Sequence, residues 1–139
     1  MASRRQILTA GLIGSVLPLG SLASAAAAAQ PIDIHRAIYD RRFASGRAFA
    51  AEAVRRGWTA AAIEGDVTNL WYHDLAVRWR AGPAAIAGVT DAQALFVLDH
   101  LARDAGMRVI TREALPPDPA FSWPVVSWLI APPARAVRA

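Results

Sequence analysis

The acidic, basic and hydroxyl side chains that could hold a ligand gather in three turns, each directly after a predicted β-strand. They are Asp40, Arg41, Arg42, Ser45, Asp66, Thr68 and Thr90. Arginine pairs with oxyanions through two parallel hydrogen bonds, and helix N-termini offer free backbone amides to the same ligands. The sequence therefore predicts a binding site for a small anion, such as a carboxylate, a phosphate or a sugar-like molecule, at one edge of a sheet.

Helix capping is the competing interpretation, because Asp, Ser and Thr are the residues that N-caps favour. Asp40 is the exception, since Ser45 is expected to cap the helix that follows. An acid beside an arginine at a strand end is a candidate for binding or for proton transfer. Two functions stay open: a binding or accessory module without catalytic groups, and a small hydrolase- or isomerase-type enzyme that uses Asp40 or Asp66 as acid or base.

Other chemistries find little support in the residue types. His73 and Asp74 are adjacent on a predicted helix, so their side chains do not face each other and form no dyad by themselves. The three histidines lack metal-ligand spacing, and the absence of cysteine excludes thiolate zinc sites, iron–sulfur clusters and covalent haem. No nucleotide-binding glycine motif or nucleophile elbow is present. We expect neither a metal nor a cofactor.

Five tryptophans are many for so short a chain. Trp58, Trp71 and Trp79 fit core positions, where an aromatic ring buries a large area. Trp123 and Trp128 instead flank an apolar run near the C-terminus. They could cover the core, or they could form a surface that contacts a partner protein, where tryptophan is enriched.

The elements that position these residues alternate between strand and helix. Strands are predicted at 34–39, 58–63, 84–89 and 107–112, and helices between Ser45 and Gly57, Val67 and Gly82, and Thr90 and Gly106. This rhythm is typical of right-handed crossover units on a parallel sheet. Pro124 restricts the run 121–130 to an edge strand or an extended cover. We predict an α/β fold: a single small domain with a mainly parallel sheet of about four strands, three flanking helices and that C-terminal edge strand or cover.

The N-terminus has the charged start, apolar run and small-residue box of a secretory signal. Ser3-Arg4-Arg5-Gln6-Ile7-Leu8-Thr9 resembles the twin-arginine family of signal peptides, with Ile7 and Thr9 where that family has Phe and Lys. The resemblance implies that Arg4 and Arg5 direct a folded chain to the twin-arginine (Tat) translocase. It also implies cleavage between Ala25 and Gln30 and a mature protein in the periplasm.

An uncleaved membrane anchor is the alternative, because residues 7–29 carry no charge and reach the roughly 20 residues that a bilayer requires. Contact with a membrane is expected through this segment alone. The predicted organisation is a signal peptide at 1–29, an α/β domain at 30–131 and a flexible tail at 132–139.

Charge gives no reason to expect nucleic acid as a partner. Without the signal segment, thirteen arginines face eleven carboxylates, a net charge of +2. The domain is similar to small exported proteobacterial proteins of unassigned function, a resemblance that implies no functional residue. It is carried by Tyr39-Asp40-Arg41-Arg42-Phe43, Gly65-Asp66-Val67-Thr68 with Leu70-Trp71, and Ile86-Ala87-Gly88-Val89-Thr90. The expected partner is a periplasmic protein or a small anion.

Overall fold

Strands and helices alternate along residues 32–134, the part of the chain that the computed structural model describes. They are β1 (Ile34–Asp40), α1 (Ala44–Arg55), β2 (Ala60–Ile63), α2 (68–80), β3 (Ala85–Asp91), α3 (Ala92–Asp104), β4 (Arg108–Leu115) and β5 (Val125–Ala131). Helix α2 contains a π-helical turn, Trp71–Leu75, between two α-helical pieces. The predicted signal peptide and residues 135–139 of the predicted tail lie outside the described residues.

The five strands form one mixed sheet in the order β2-β1-β3-β5-β4. Strand β1 is parallel to both β2 and β3, whereas β5 is antiparallel to β3 and to β4. The predicted α/β class and its three helices are confirmed within residues 32–134. The predictions of a mainly parallel sheet and of about four strands are wrong.

Strand β5 lies inside the sheet, so the prediction of a C-terminal edge strand or cover is also wrong. All seven of its residues are buried. Pro124 does not prevent this, because it precedes the first strand residue and its missing N–H therefore interrupts no ladder. The C-terminal run is thus a central element of the fold.

The helices begin and end close to their predicted positions, but two caps differ. Ser45 does not cap α1; the helix begins at Ala44, whose N–H donates to the Asp118 carboxylate at 2.8 Å. Asp91, one residue after the predicted Thr90, caps α3 by accepting from the Ala94 N–H. In both cases a carboxylate at the helix start satisfies a free backbone donor.

Two apolar clusters hold the layers together. Helices α2 and α3 cover one face of the sheet with Leu75, Leu95 and Leu98, and α1 covers the other with Phe49 and Ala53. This sidedness follows from right-handed crossovers, since β1 to β2 and β2 to β3 run in opposite directions along the sheet.

Trp128 belongs to this core and has no exposed surface. Its indole N–H donates to the Thr90 hydroxyl at 3.0 Å. The ring lies over Gly88 of the paired strand β3, where any Cβ would overlap it. The prediction that Trp128 contacts a partner is therefore wrong.

Between residues 32 and 134, no helix has the length and apolarity needed to cross a bilayer.

Candidate functional site

The predicted site residues lie at one end of the sheet, where β1, β2 and β3 finish and where a loop crosses back over them. We call this region the carboxyl edge, and it comprises residues 40–47, 63–70, 90–92 and 116–124. The parallel direction of β1, β2 and β3 places their carboxyl ends together, which is where ligands bind in open α/β sheets.

Asp40 and Arg42 form an ion pair at the end of β1. One Asp40 oxygen accepts from the Arg42 backbone N–H at 3.0 Å and from its Nε at 2.9 Å, and the other accepts from Nη2 at 2.7 Å. Nη2 also lies 3.2 Å from Asp91. The hydrogen bond to Asp40 raises the pKa of Arg42, and the charges of Asp40 and Asp91 add to it.

Asp40 has no exposed surface and both of its oxygens already accept from Arg42. Asp91 is engaged in the same way, because its second oxygen caps α3 through Ala94. A proton-transfer group must reach its substrate within hydrogen-bond distance. In this geometry Asp40 stabilises the turn after β1 and does not present a free carboxylate to a ligand.

Three aromatic rings surround the guanidinium group of Arg42. Its Cζ lies 4.5 Å from the ring centre of Trp123, 5.2 Å from that of Phe43 and 5.8 Å from that of Phe121. Phe121 and Trp123 are stacked with their centres 5.1 Å apart. Cation–π attraction adds to the ion pair here.

The loop 116–124 carries two of these rings across the carboxyl ends of the strands. It is attached to α1 by Asp118, and to α3 by the Pro124 carbonyl, which accepts from the Ala92 N–H at 3.3 Å. The side chain of Trp123 remains 44% exposed. The space above β1 and β3 is thus occupied by the chain itself, with an indole on its outer side.

An open cleft of about 450 Å³ lies between the ends of β1 and β2 and the start of α2. Its polar lining consists of Arg41, Glu64, Asp66, Thr68 and Asn69. Arg41 is paired with Glu64. The cleft therefore contains one neutralised pair and one further carboxylate.

That carboxylate, Asp66, is held by the first turn of α2. One of its oxygens accepts from the Thr68 hydroxyl at 2.6 Å and from the Thr68 N–H at 2.8 Å. The hydrogen bond from the Thr68 hydroxyl, and to a smaller extent the one from its backbone N–H, holds the pKa of Asp66 below its ordinary value of 3.8. Asp66 is therefore fully ionised at neutral pH and is a weak base.

The structure divides the predicted residues into three groups. Arg41, Asp66 and Thr68 line the open cleft, and Asp40 and Arg42 form the covered ion pair. Ser45 and Thr90 line neither. Ser45 lies half-buried in the first turn of α1, and Thr90 is fully buried, with its hydroxyl engaged by Trp128 and by the Asp91 carbonyl.

Sequence reasoning missed three residues of this edge: Glu64, Asn69 and Asp118. Glu64 directly follows β2, so the rule that found Asp40 could have found it. Nothing in the sequence points to Asp118, because its contact with Ala44 spans 74 residues.

The charge of the carboxyl edge favours cations. Its carboxylates are Asp40, Glu64, Asp66, Asp91 and Asp118, and its guanidinium groups are Arg41, Arg42 and Arg47. The net charge of −2 opposes an anion, and both arginines that were predicted to hold one are paired with acids of the same chain. A cationic or neutral polar ligand fits this balance better than the anion expected from sequence.

Within the described part of the chain, no three acidic or histidine side chains are grouped as a metal site would require. Comparison of the chain with protein-family models, curated proteins and solved structures finds no match.

Proposed function

We propose that this protein is an exported, periplasmic binding module that holds a small, positively charged ligand in the cleft at the carboxyl edge. The observation that carries the proposal is the ionised Asp66 in a cleft whose arginine is already paired with Glu64. A volume of about 450 Å³ lies in the range of small-molecule sites.

An amine fits this lining by its chemistry. An ammonium group carries three donors and no acceptor. Both hydrogen bonds from Thr68 go to the same Asp66 oxygen. The second oxygen accepts no hydrogen bond from the residues that the structure describes, so it can accept one from a ligand. The amide of Asn69 and the Glu64 carboxylate offer further acceptors on the same rim.

The test is calorimetric titration of the mature protein with 1,4-diaminobutane, with citrate and glucose as the anionic and neutral comparisons. We expect the diamine to bind and its affinity to fall with added salt, because surface charge interactions are screened. Asp66→Asn should weaken binding about tenfold, the effect of losing about one charge-assisted contact.

The amide oxygen introduced by Asp66→Asn can still accept from Thr68, so the variant keeps the turn and removes the charge. Asp104→Asn is the matched control, an exposed acid at the end of α3 outside the cleft. Binding of citrate in place of the diamine, or an unchanged affinity in Asp66→Asn, would refute a cation site in this cleft.

A second candidate function is docking of a partner protein on Trp123. The observation that favours it is a 44% exposed indole stacked on Phe121 in a loop that contains four prolines. Rigid aromatic side chains of this kind often dominate the binding energy of protein interfaces.

Affinity isolation of the mature protein from periplasm, followed by native mass spectrometry, tests this candidate. A second chain in constant ratio, lost in Trp123→Ala and kept in Phe96→Ala, is the result expected for docking. Phe96 is the matched control because it is an exposed ring on α3. A monomer that carries only a small added mass would refute docking and agree with the cleft proposal.

A further inference from the structure

A second polar cluster lies at the start of β1, away from the carboxyl edge. The Nε2 atom of His35 lies 2.8 Å from one oxygen of Asp74, and Nε of Arg36 lies 2.7 Å from the other. The three side chains are 17%, 20% and 30% exposed, in the order His35, Asp74, Arg36. The cluster is therefore partly open to solvent, and the Asp74 carboxylate holds both basic side chains in place.

Two irregularities of the backbone meet at this cluster. In the pairing of β1 with β3, Ile34 lies opposite Ala85 and Arg36 lies opposite Ile86, so His35 is an extra residue and forms a β-bulge. Successive strand residues normally point to opposite faces, and the bulge brings His35 and Arg36 to one carboxylate.

The second irregularity is the π-helical turn Trp71–Leu75, which carries Asp74. On a regular helix Asp74 would face Arg78, four residues further on. In the structure Arg78 donates to the Gly82 carbonyl, and Asp74 contacts β1. Bulges and π-turns are both enriched at functional sites, and here each turns a side chain toward the same group.

The contacts select one tautomer of the neutral His35 ring. A carboxylate only accepts hydrogen bonds, so Nε2 must carry the proton that lies between the ring and Asp74. In the neutral ring the lone pair is then on Nδ1, which is its nucleophilic atom. Arg36 holds the carboxylate and the carboxylate holds the imidazole, which is how reactive histidines are oriented.

We propose that His35 is a reactive imidazole whose Nδ1 accepts acyl groups from small activated esters, with Asp74 and Arg36 as positioning residues. This site is separate from the cleft and does not depend on the function proposed for it. Nδ1 attacks the carbonyl carbon, the ester C–O bond breaks and the alcohol oxygen leaves with the electron pair. Water then attacks the acyl carbon and the bond from that carbon to Nδ1 breaks. The acid and one proton are released to solvent, while Nε2 keeps its proton against Asp74.

The first experiment compares the three histidines of the chain under limiting diethyl pyrocarbonate at pH 7, with rates read by peptide mass spectrometry. His73 and His100 are internal controls because both are exposed. Although His35 is more buried, we expect it to react at least about tenfold faster than either, which is below the roughly 100-fold that a positioned base can contribute. Slower reaction at His35 than at both controls would overturn the proposal.

The positioning role is tested with Asp74→Asn, whose folding is checked by its thermal transition. The reaction of His35 should slow about tenfold with His73 and His100 unchanged, since of the three histidines His35 is the one whose ring contacts the Asp74 carboxylate. Hydrolysis of p-nitrophenyl acetate should fall in His35→Ala and persist in His73→Ala. An unchanged His35 rate in Asp74→Asn would overturn the assignment of Asp74.

Nitrogen-15 NMR of the unmodified protein gives a measurement that needs no variant. We expect the proton of neutral His35 on Nε2 and the lone pair on Nδ1. A proton on Nδ1 would overturn the proposal whatever the variants show.

Discussion

The carboxylate of Asp40 shows how a single residue can be chemically suggestive and yet be fixed inside the fold. Its position after β1 made it a candidate acid from the sequence. In the structure Arg42, two residues later, binds both of its oxygens, and Gly46 of α1 lies against its carbonyl oxygen. Burial of a charge without such a partner costs several kcal/mol, so this pair is decisive for the turn.

Arg42→Ala should lower the free energy of unfolding by about 3 kcal/mol at pH 7, because it leaves the buried Asp40 carboxylate with the backbone N–H of residue 42 but without the guanidinium group. Urea unfolding at pH 7 measures it. Arg41→Ala is the control: its pair with Glu64 is exposed, so it should cost less than about 1 kcal/mol. Equal losses in the two variants would contradict the buried-pair argument.

At the level of elements, the start of α1 depends on a residue from the far end of the domain. Asp118 accepts hydrogen bonds from the backbone N–H groups of Ala44 and Ala120. The bond from Ala44 contributes most to holding the pKa of Asp118 below 3.8; the bond from Ala120 and the charge of Arg47 lower it further. A carboxylate whose pKa is lower in the folded chain than in the unfolded chain stabilises the fold at pH values above its unfolded-state pKa. That stabilisation is lost as the pH falls through the folded-state pKa.

Asp118→Ala should therefore unfold at a lower temperature than the wild type at pH 7, and the difference should close as the pH falls below 3.8 and through the lowered pKa of Asp118. Asp118→Asn, which keeps an acceptor without the charge, should fall between the two. Calorimetric melting across pH 3 to 7 provides the comparison. A difference that stays constant over this range would mean that the cap does not act through its charge.

Strand β3 must carry a glycine where Trp128 crosses it. A Cβ at position 88 would overlap both the Trp128 ring and the Ile38 carbonyl oxygen, and the latter cannot move without disturbing β1. Gly88→Ala should cost about 3 kcal/mol or more in urea unfolding. Gly57→Ala is the control, with a positive φ of 85° but nothing within 4 Å, and should cost about 1 kcal/mol. Similar costs would show that the overlap is relieved by repacking.

Much of the fold could be predicted from the sequence because local patterns determine it. The strands and helices between residues 34 and 112, and the pairs Glu52–Arg56 and Asp99–Arg103, follow from spacing alone. The place of β5 could not be predicted, since an apolar run of seven residues fits an edge or an interior equally well until its partners are known. Trp128 is buried because β5 lies between β3 and β4 in the interior of the sheet.

The sequence could predict that the polar residues of the three turns gather at one edge of the sheet, but not which of their charges are paired. The rule that ligands bind beyond the carboxyl ends of parallel strands found Asp40, Arg41, Arg42 and Asp66. Whether an arginine is free or paired depends on contacts such as Arg42 with Asp91, which lie 49 residues apart in the chain. The sequence therefore suggested an anion site, whereas the pairing of both arginines with acids is the reason why we propose a cation.

At the scale of the whole molecule, export remains a prediction from residues 1–29. Replacing Arg4 and Arg5 together by Lys should leave an uncleaved precursor in the cytoplasm, whereas the unchanged chain should reach the periplasm shortened by its signal segment. Fractionation with immunoblotting measures both. The matched control replaces Arg55 and Arg56, an adjacent pair at the end of α1, by Lys. Normal export of the Arg4/Arg5 variant would rule out the twin-arginine route.

The central place of β5 has a consequence for how the chain is made. One side of β3 stays unpaired until residues 125–131 arrive, and the contact of Ile86 with Ile130 joins positions 44 residues apart. Such long-range pairing is slow and cannot begin on a partial chain. A polypeptide that stops after β4 exposes the β3 edge and lacks Trp128 from its core. If export accepts only folded chains, the last strand to leave the ribosome decides whether a molecule is ready to be exported.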